Sequence, residues 1–496
     1  MSFIQLNGGV LVNLKRSTPE KQGISSSAIL SFLESVEKSE IELHSFMIAR
    51  NGEVVSEGAW HPYEIENKHF MFSFTKSVTA TAIGFALSEN LLSLDDKVIS
   101  FFPEYKNCDV SEKMKSMTVE HLLTMTSGYI ENISGSTQWS RKEGSWVKQF
   151  LELPLTYEPG TRFVYNSGSS HMLSAIISKV TSQSTLEYLQ PRLFTPLQIN
   201  DVIWDTDPYG NNTGGWGIRL AIEDVTKFGQ FYLQKGYWNG EQLLDKEWFE
   251  RATSFKVSNA EMYDEKDRQQ GYGYQFWMIR NGGYRAAGKF GQLCIILPQQ
   301  NAVLSFTAGT DQSQNLLDLV WKHIYPNFEQ NALENNLETQ EKLNKFLEEL
   351  KVHKPQPFSI SPIEPKISGK LFCLEENIDD IQSIQLFFER GMCVFQLKDK
   401  KGEHEIKCGL GEWVESNTTM PGAILHHMQQ PDDLVVKARG NWLDESTFFM
   451  TWTYTQLPFS DFVSCNFEEN KVIYRRSVNV NGDVTSRPTI LGRQSI

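Results

Sequence analysis

A serine followed three residues later by a lysine opens a helix-prone run in the first quarter of the chain. Ser73 and Lys76 lie in MFSFTKSVTATAIGFAL, where good helix residues follow the serine. Residues three apart share one helix face, so both side chains can point at one spot. A serine hydroxyl needs a base to take its proton, and a lysine serves only if partial burial and a neighbouring cation lower its pKa. The pair favours acyl transfer, with N–H groups at the helix start facing the developing oxyanion.

The same spacing is common by chance, and it then usually means a helix N-cap serine and an exposed lysine, so its context must decide. The other candidate motifs are weaker. His121 and His171 are expected to be packed or helix-surface histidines, and His426-His427 lies in a predicted loop that does not by itself make a metal site. Gly214-Gly215-Trp216-Gly217 is not a phosphate loop, because no Lys-Ser or Lys-Thr follows it. No cofactor is implied.

The elements around these residues alternate between helix and strand. Ser26 to Lys38 has helical apolar spacing, and Asn51-Gly52 between two alternating runs predicts a β-hairpin. A second helix starts near Ser73, and TVEHLLTMTSG is predicted to be a helix ended by Gly128. With strands again over Gln292 to Ala308, the pattern predicts an α/β (α+β) sandwich of an antiparallel sheet and a helical lobe.

A domain boundary is predicted in the last third of the chain. Residues 336–358 read as a linker, in which the charged, helix-prone end of LENNLETQEKLNKFLEEL leads into a proline-rich stretch. Residues 1–335 form the first domain. From 359 to 496 the pattern changes to period two, as in SIQLFFER and STFFMTWTYTQL, which predicts an all-β domain such as a lipocalin-like or small barrel or a sandwich.

Composition narrows the function classes. At 496 residues the chain exceeds one ordinary core. The net charge of −14 is spread without a basic face, so nucleic acid is not an expected partner. The N-terminal stretch lacks an apolar h-region, and no run reaches the roughly 18 apolar residues of a membrane span, so we expect a cytoplasmic protein without a membrane partner. The six cysteines lack metal spacing and are expected to be free and mostly buried: Cys108, Cys294, Cys373, Cys393, Cys408 and Cys465.

The wider context of Ser73 resembles one enzyme superfamily. From about residue 18 to 325 the chain presents LSLDDKV with FFPEY, TVEHLLTMTSG, YEPGTRFVYNSGSSHMLSAII, GGWGIRLAIEDVTKFGQFYLQKGYWNGEQLL, GYGYQFW and AAGKFGQLCIILP in order. This series resembles the β-lactamase and penicillin-binding-protein superfamily, in its class C and esterase branch, whose nucleophile motif is Ser-x-x-Lys. The resemblance implies that Ser73 is the nucleophile and Lys76 its partner.

The same resemblance assigns the remaining site residues. Tyr165, in the family's Tyr-x-Asn position, would be the general base, with Lys76 stabilising its phenolate. Ser167 stands where the family usually has the asparagine of that motif. Ala286 stands where β-lactamases have the lysine of Lys-Thr-Gly, which helps to hold a substrate carboxylate; its loss argues against β-lactam antibiotics and for uncharged esters.

The strand after this motif is expected to complete the oxyanion hole. Gly288 would permit close approach, and the N–H of Lys289 would pair with that of Ser73, while the Lys289 side chain is expected to be a surface charge. Cleft-lining aromatic residues are expected, each with core packing as the alternative: Tyr129, Trp139, Trp216 and Trp277.

The sequence thus predicts a serine hydrolase that forms an acyl-enzyme on an ester or amide, closest to the esterase and 6-aminohexanoate-oligomer hydrolase side of the family. Two alternatives stay open. One is a penicillin-binding protein, D-amino-acid peptidase or weak β-lactamase, and the other is a non-catalytic binding protein on this scaffold. The expected partner is a small ester, amide or short peptide, and self-association into a homo-oligomer is left open.

Overall fold

The computed structural model describes residues 13–105, 110–133, 144–352, 360–429 and 434–495. Its helices are α1 Ser26–Glu37, α2 Thr75–Ser88, α3 Glu112–Ser116, α4 Val119–Leu123, α5 Trp146–Glu152, α6 Ser167–Thr181, α7 Thr185–Leu189, α8 Thr195–Leu197, α9 Ile222–Leu233, α10 Lys246–Ala252, α11 Ser313–Leu319, α12 Leu337–Glu348 and α13 Glu364–Ile367. Short π-helical turns follow α7 and α11, at Gln190–Phe194 and Val320–Ile324.

The strands fall into a first set before residue 310 and a second set after residue 370. The first set is β1 Lys15–Arg16, β2 Leu43–Arg50, β3 Glu53–Ala59, β4 His69–Phe70, β5 Ile203–Trp204, β6 Ile218–Leu220, β7 Tyr237–Trp238, β8 Glu241–Gln242, β9 Trp277–Met278, β10 Tyr284–Gly288, β11 Gln292–Leu297 and β12 Ala302–Ala308. The second set is β13 Leu371–Leu374, β14 Ser383–Glu389, β15 Met392–Lys398, β16 Glu403–Leu410, β17 Val414–Thr418, β18 Leu434–Trp442, β19 Thr447–Thr453, β20 Ser460–Glu468, β21 Lys471–Val478 and β22 Ile490–Gln494.

The main sheet of the first domain has the order β1-β3-β2-β12-β11-β10-β9 and is antiparallel except where β1 pairs with β3. Helices cover both faces, with α1, α11 and α12 on one side and α2, α6 and α9 on the other. At Gly229 of α9, an added Cβ would lie 2.5 Å from Cys294 Sγ, which explains why this helix can sit directly on the sheet. The predicted α/β sandwich is confirmed.

Two local predictions have different outcomes. The hairpin at Asn51-Gly52 is confirmed. Both residues have positive φ values (52° and 81°), as the two central residues of a type I′ hairpin turn require. The helix predicted to end at Gly128 is shorter than expected. Helix α4 ends at Leu123, and Met125 at φ 59° turns the chain away; Gly128 instead belongs to a later turn, where it accepts a hydrogen bond from Tyr157 N.

The C-terminal strands form a closed barrel. The ring runs β16-β15-β14-β13-β22-β21-β20-β19-β18 and closes through a parallel pairing of β18 with β16, while β17 adds to the outside of β18. Large aromatic side chains fill its interior, among them Phe395, Trp452 and Tyr474, which are at most 2% exposed. The predicted all-β domain is confirmed, and its architecture is a barrel with a packed core.

The barrel packs against the part of the first domain that carries Ser73. Phe70, Phe72 and Phe290 belong to the same buried cluster as the barrel core. Polar contacts flank them, including Phe70 N donating to Gln456 O at 2.9 Å and Asn479 Nδ2 donating to Glu42 Oε1 at 2.7 Å. The two domains therefore meet beside the turn at Ser73. Helix α12 packs on the first domain, with Leu343 buried against the layer of α1.

Candidate active site

Ser73 lies in a tight turn that opens helix α2. Residues Phe72–Phe74 form one 3₁₀ turn, and α2 continues from Thr75. Phe72, directly before the serine, has φ 47°, a left-handed conformation that a bulky residue adopts only when its surroundings enforce it. The Thr75 hydroxyl donates to Phe72 O at 2.6 Å and helps to hold this turn. As a result, the Ser73 side chain lines a cavity at the start of the helix.

Lys76 is buried and bonded to three neutral oxygen atoms. Its Nζ donates to Ser73 Oγ at 3.0 Å, to Ser167 Oγ at 3.0 Å and to Gly215 O at 2.7 Å. The residue is 1% exposed, and this burial lowers the pKa of Lys76 to about 7. A lysine that is half neutral near pH 7 and within hydrogen-bond distance of a serine hydroxyl can take its proton.

Tyr165 closes the other side of Ser73. The Lys76 Nζ lies 4.8 Å from the centre of the Tyr165 ring, and the ring stacks on Trp277 at 5.3 Å. Burial raises the pKa of Tyr165 above its ordinary value, and its interaction with Ser73 offsets only part of this rise. The Lys76 ammonium lies over the Tyr165 ring, and the role of Tyr165 as general base stays a prediction. The neutral hydroxyl is suited to relaying a proton.

Close backbone approach positions the acceptors around Lys76. Ser167 is the first residue of α6, whose N-cap Asn166 accepts from the N–H of Gly168 at 2.8 Å. An added Cβ at Gly215 would lie 3.0 Å from Ser167 Cβ, and one at Gly214 would lie 2.1 Å from Ser170 O. The glycine-rich stretch is thus needed to bring the Gly215 carbonyl to the lysine. The Ser167 hydroxyl takes a position beside Lys76, while its N–H donates to Asn132 Oδ1 at 2.7 Å.

The end of β10 lies against the turn at Ser73. An added Cβ at Gly288 would sit 2.1 Å from Met71 O, so only glycine allows this approach. Lys289 follows at once, and both residues line the same cavity as Ser73. Ser73 and Lys289 thus lie at one cavity, and their backbone N–H groups stay the predicted oxyanion pair. The Lys289 side chain is exposed, as expected, although it stands at the cavity wall.

Two expected substrate-binding residues point elsewhere. Ala286 is fully buried in the core between the sheet and the helical lobe, because alternate residues of a strand face opposite sides and Arg285 and Ala287 take the cavity side. Tyr129 is buried in the same core and donates to Phe150 O. Trp216 and Trp277 do line the cavity. Trp139 lies outside the described residues.

The cavity has a volume of about 700 Å³ and receives side chains from both domains. The barrel contributes His427, Met428 and Gln429. The sequence motifs did not identify several other lining residues, because their positions depend on how distant segments pack: Asn132, Tyr263, Glu265, Arg268, Arg285 and Asp311. Arginines therefore line the cavity, and one of them could bind an acidic group of a substrate. The absence of a lysine at position 286 thus does not by itself disfavour substrates that carry a carboxylate.

Most of the other histidines and cysteines considered in the sequence are buried or take part in contacts away from the cavity. His171 is buried with its Nε2 3.1 Å from Asp207 Oδ2, and His121 caps α4. His426 is buried against Asp461 at 2.8 Å, whereas its neighbour His427 faces the cavity. The described cysteines are free, and all but Cys373 are buried. Cys108 lies outside the described residues. In the described part of the chain, no helix has both the length and the apolar character needed to cross a membrane.

Comparison with known proteins places these features in a family. Residues 35–320, more than half of the chain, match the family model described as beta-lactamase. A 6-aminohexanoate-dimer hydrolase from Paenarthrobacter ureafaciens is 21% identical over 307 residues, covering 58% of this chain and 78% of that protein. A lovastatin esterase from Penicillium rubens is 26% identical over 165 residues, covering 29% of this chain and 41% of that protein.

A solved structure shows the same fold. A penicillin-binding protein homologue from Caulobacter crescentus matches with a TM-score of 0.50 at 14% identity, covering 63% of this chain and 100% of that one. The matched part of the sequence contains the turn at Ser73, the start of α6 and the end of β10. The chain therefore belongs to the beta-lactamase family of serine hydrolases, which includes esterases and penicillin-binding proteins.

Proposed function

We propose that this protein hydrolyses a carboxylic ester or amide through an acyl-enzyme on Ser73. The observation that carries the proposal is the 3.0 Å hydrogen bond between Lys76 Nζ and Ser73 Oγ at the wall of a substrate-sized cavity. A serine becomes nucleophilic when a base of suitable pKa reaches its hydroxyl, and burial brings the pKa of Lys76 to about 7. This supports Lys76, in preference to Tyr165, as the group that takes the proton.

The proposed reaction has two halves. Neutral Lys76 takes the Ser73 proton while Oγ bonds to the substrate carbonyl carbon, and the N–H groups of Ser73 and Lys289 stabilise the oxyanion. The bond to the leaving alcohol or amine then breaks, and that group receives a proton through Tyr165 or from Lys76. In the second half, water attacks the acyl carbon while Lys76 takes a proton from that water. The bond from the acyl carbon to Oγ then breaks, Lys76 returns the proton to Oγ, and the free acid leaves with Ser73 and neutral Lys76 restored.

The breadth of the family supports both esters and amides as substrate classes. One relative is named an esterase and another a hydrolase of a 6-aminohexanoate dimer, so related chains have been assigned different acyl compounds. The cavity walls combine aromatic side chains such as Trp216 and Trp277 with polar ones such as Asn132. These walls suit an acyl group that has an apolar body and a few polar contacts.

Substitution of the nucleophile tests the proposal. Ser73→Ala is expected to lower kcat for 4-nitrophenyl butyrate about a thousandfold or more without changing the unfolding temperature, because it removes the attacking atom and little volume. Ser88→Ala is the matched control, since Ser88 lies at the far end of the same helix and its hydroxyl donates only to Phe85 O. Turnover by Ser73→Ala above a few per cent of wild type would overturn the assignment. An absence of turnover in wild type with every ester and amide tried would indicate a binding protein on this scaffold.

A further inference from the structure

Arg285 is a buried cation in the wall of the candidate active site. It lies on β10 beside Trp277 of β9, three positions before Gly288. The residue is 4% exposed, and it lines the same cavity as Ser73 and Tyr165. Arg285 and Ala287 share the strand face that meets the cavity, whereas Ala286 faces the core. The fold thus directs this guanidinium toward the space that a substrate would occupy.

The Arg285 guanidinium lacks the partners that a buried cation normally has. Its Nε and Nη1 atoms are enclosed without a hydrogen-bond acceptor, and within the described part of the chain no ion pair reaches it. Burial lowers the pKa of Arg285 to about 10, so the side chain is still charged at neutral pH. A buried charge without a partner is costly to the folded protein, and a ligand that supplies acceptors would relieve that cost.

Nearby carboxylates are engaged by other groups. Asp267 is fully buried and accepts hydrogen bonds from Arg280, Gln314 and Trp321, including Gln314 Nε2 at 2.8 Å and Trp321 Nε1 at 2.9 Å. Glu265 accepts from Arg268 Nη1 at 3.0 Å. Neither carboxylate hydrogen-bonds Arg285, although the negative charges of both act on it at longer range. Within the described part of the chain, its Nε and Nη1 still lack acceptors, which a ligand could supply.

The two other cations of the cavity differ from Arg285. Arg268 pairs with Glu265, and its guanidinium lies 5.1 Å from the centre of the Tyr263 ring. Lys289 is exposed, and the negative charge of Asp311 acts on it. Arg268 is thus paired with a carboxylate, and Lys289 is in contact with solvent. Arg285 is the cavity cation that combines deep burial with unmet hydrogen-bonding capacity.

Building on the acyl-enzyme function proposed above, we propose that Arg285 binds a carboxylate carried by the substrate. Its planar guanidinium can form two parallel hydrogen bonds to a carboxylate, which fixes both position and orientation. Arg285 and Gly288 are three positions apart on one strand, which separates their Cα atoms by about 10 Å. A carboxylate bound at Arg285 would therefore lie on the order of this distance from a carbonyl held at Gly288 and Lys289. A linear acyl chain of about eight carbons, with an acid at its far end, fits this distance and the cavity of about 700 Å³.

A pair of substrates that differ only in this charge tests the subsite. Mono-4-nitrophenyl suberate carries the free acid, and its methyl ester is the neutral counterpart. Wild type is expected to prefer the acid by about tenfold or more in kcat/KM, mainly through a lower KM, since a charge-assisted hydrogen bond of this kind is worth at least that factor. Arg285→Met is expected to lose the preference, because its loss of kcat/KM for the acid should exceed its loss for the methyl ester by about tenfold or more. Arg251→Met, which removes an exposed charge on α10, should leave the preference unchanged.

Binding without turnover gives an independent measurement. Free suberate is expected to raise the unfolding temperature of wild type and to have a smaller effect on Arg285→Lys and none on Arg285→Met. Without ligand, Arg285→Met is expected to fold and to be at least as stable as wild type, because it removes an unpaired buried charge. Arg285→Lys serves as the decisive variant if the methionine variant fails to fold.

The outcomes separate the subsite from the proposed function. Equal turnover of the acid and the methyl ester by wild type, or equal losses for both substrates in Arg285→Met, would overturn the carboxylate assignment while leaving Ser73 as nucleophile. Failure of wild type to turn over either ester, with no stabilisation by suberate, would overturn both. Preference for the acid that disappears only in the Arg285 variants would support the subsite.

Discussion

At the scale of single residues, the chemistry depends on how Lys76 is neutralised. Its three acceptors are two hydroxyls and one carbonyl, so the lysine is held in place without a carboxylate that would keep it charged. Burial is the cause of its lowered pKa. Tyr165 is affected in the opposite sense, because burial also disfavours its charged form and raises its pKa. The same burial thus suits Lys76 to its proposed role as base and Tyr165 to its proposed role as a neutral proton relay.

The pH dependence of turnover should follow Lys76. Because only the neutral amine can accept the Ser73 proton, kcat/KM for a neutral ester is expected to rise about tenfold per pH unit below pH 7 and to level off above it. Lys76→Met should abolish the rise together with activity, whereas Lys179→Met, an exposed lysine on α6, should retain the wild-type profile. A rate that keeps increasing to pH 10 would instead assign the base to Tyr165.

The lowered pKa of Lys76 also makes the free energy of unfolding depend on pH. The pKa of Lys76 falls from 10.5 in the unfolded chain to about 7 in the folded protein, so the unfolded chain binds more protons between these values. The contribution of Lys76 to the free energy of unfolding therefore becomes less unfavourable as pH rises from about 7 to about 10.5. Lys76→Met should reduce this pH dependence, which urea unfolding at several pH values would measure.

The motif residues could be predicted from the sequence, whereas much of the cavity could not. Ser73 and Lys76 lie in one short motif and Tyr165 lies in another, and the spacing within each motif can be read from the sequence. Arg285 and Asn132 carry no such pattern, and they reach the cavity because β10 and the segment before residue 134 pack beside the nucleophile. Ala286 was expected to contact the substrate and is buried in the core instead, because the sequence does not reveal which face of a strand meets the site.

At the scale of elements, the site depends on turns that are held by neighbours. The rings of Phe72, Phe290 and His427 pack edge to face or tilted, with centroid distances of 5.4 Å between the two phenylalanines and 5.6 Å between Phe290 and His427. All three residues have positive φ values. Phe72 precedes Ser73 and Phe290 follows Lys289, so a barrel loop contacts the residues beside both expected oxyanion donors.

Removal of the His427 ring should loosen this arrangement. His427→Ala is expected to lower kcat about three- to tenfold with little change in KM for a short neutral ester, because aromatic pairs of this kind contribute about 0.5–1.5 kcal/mol to holding Phe72 and Phe290. Ile424→Ala, in an exposed position of the same loop, is the control. Steady-state kinetics with 4-nitrophenyl acetate measures both variants. A change confined to KM would show that His427 only shapes the cavity wall.

At the scale of the whole molecule, the barrel is attached through an apolar surface next to the site. Burial of one phenylalanine side chain contributes about 1.5–3 kcal/mol, and Phe70, Phe72 and Phe290 are each at most 5% exposed. The period-two pattern predicted the strands of this domain. It left a barrel and a sandwich as alternatives, because the choice between them depends on the pairing of β16 with β18 across the chain.

Limited proteolysis should cut the chain between the two domains, and the domains should stay associated after the cut. We expect the first cut in the proline-rich stretch 353–359, which the sequence predicts to be part of the linker between the domains. The two fragments should still elute together on size exclusion. The nicked protein should retain ester turnover, because the phenylalanine contacts hold the barrel loop in place. First cuts within residues 75–320 would contradict the boundary, and fragments that separate would contradict the account of the interface.

The central claim is that Ser73 is the acylated nucleophile, and covalent labelling followed by peptide mapping tests it most directly. A fluorophosphonate should modify one serine per chain, recovered on the peptide that contains Ser73, with labelling that rises with pH through about 7 as Lys76 becomes neutral. Ser73→Ala should take up no label. Modification of a different serine, or ester turnover that continues while Ser73 stays unmodified, would contradict the account.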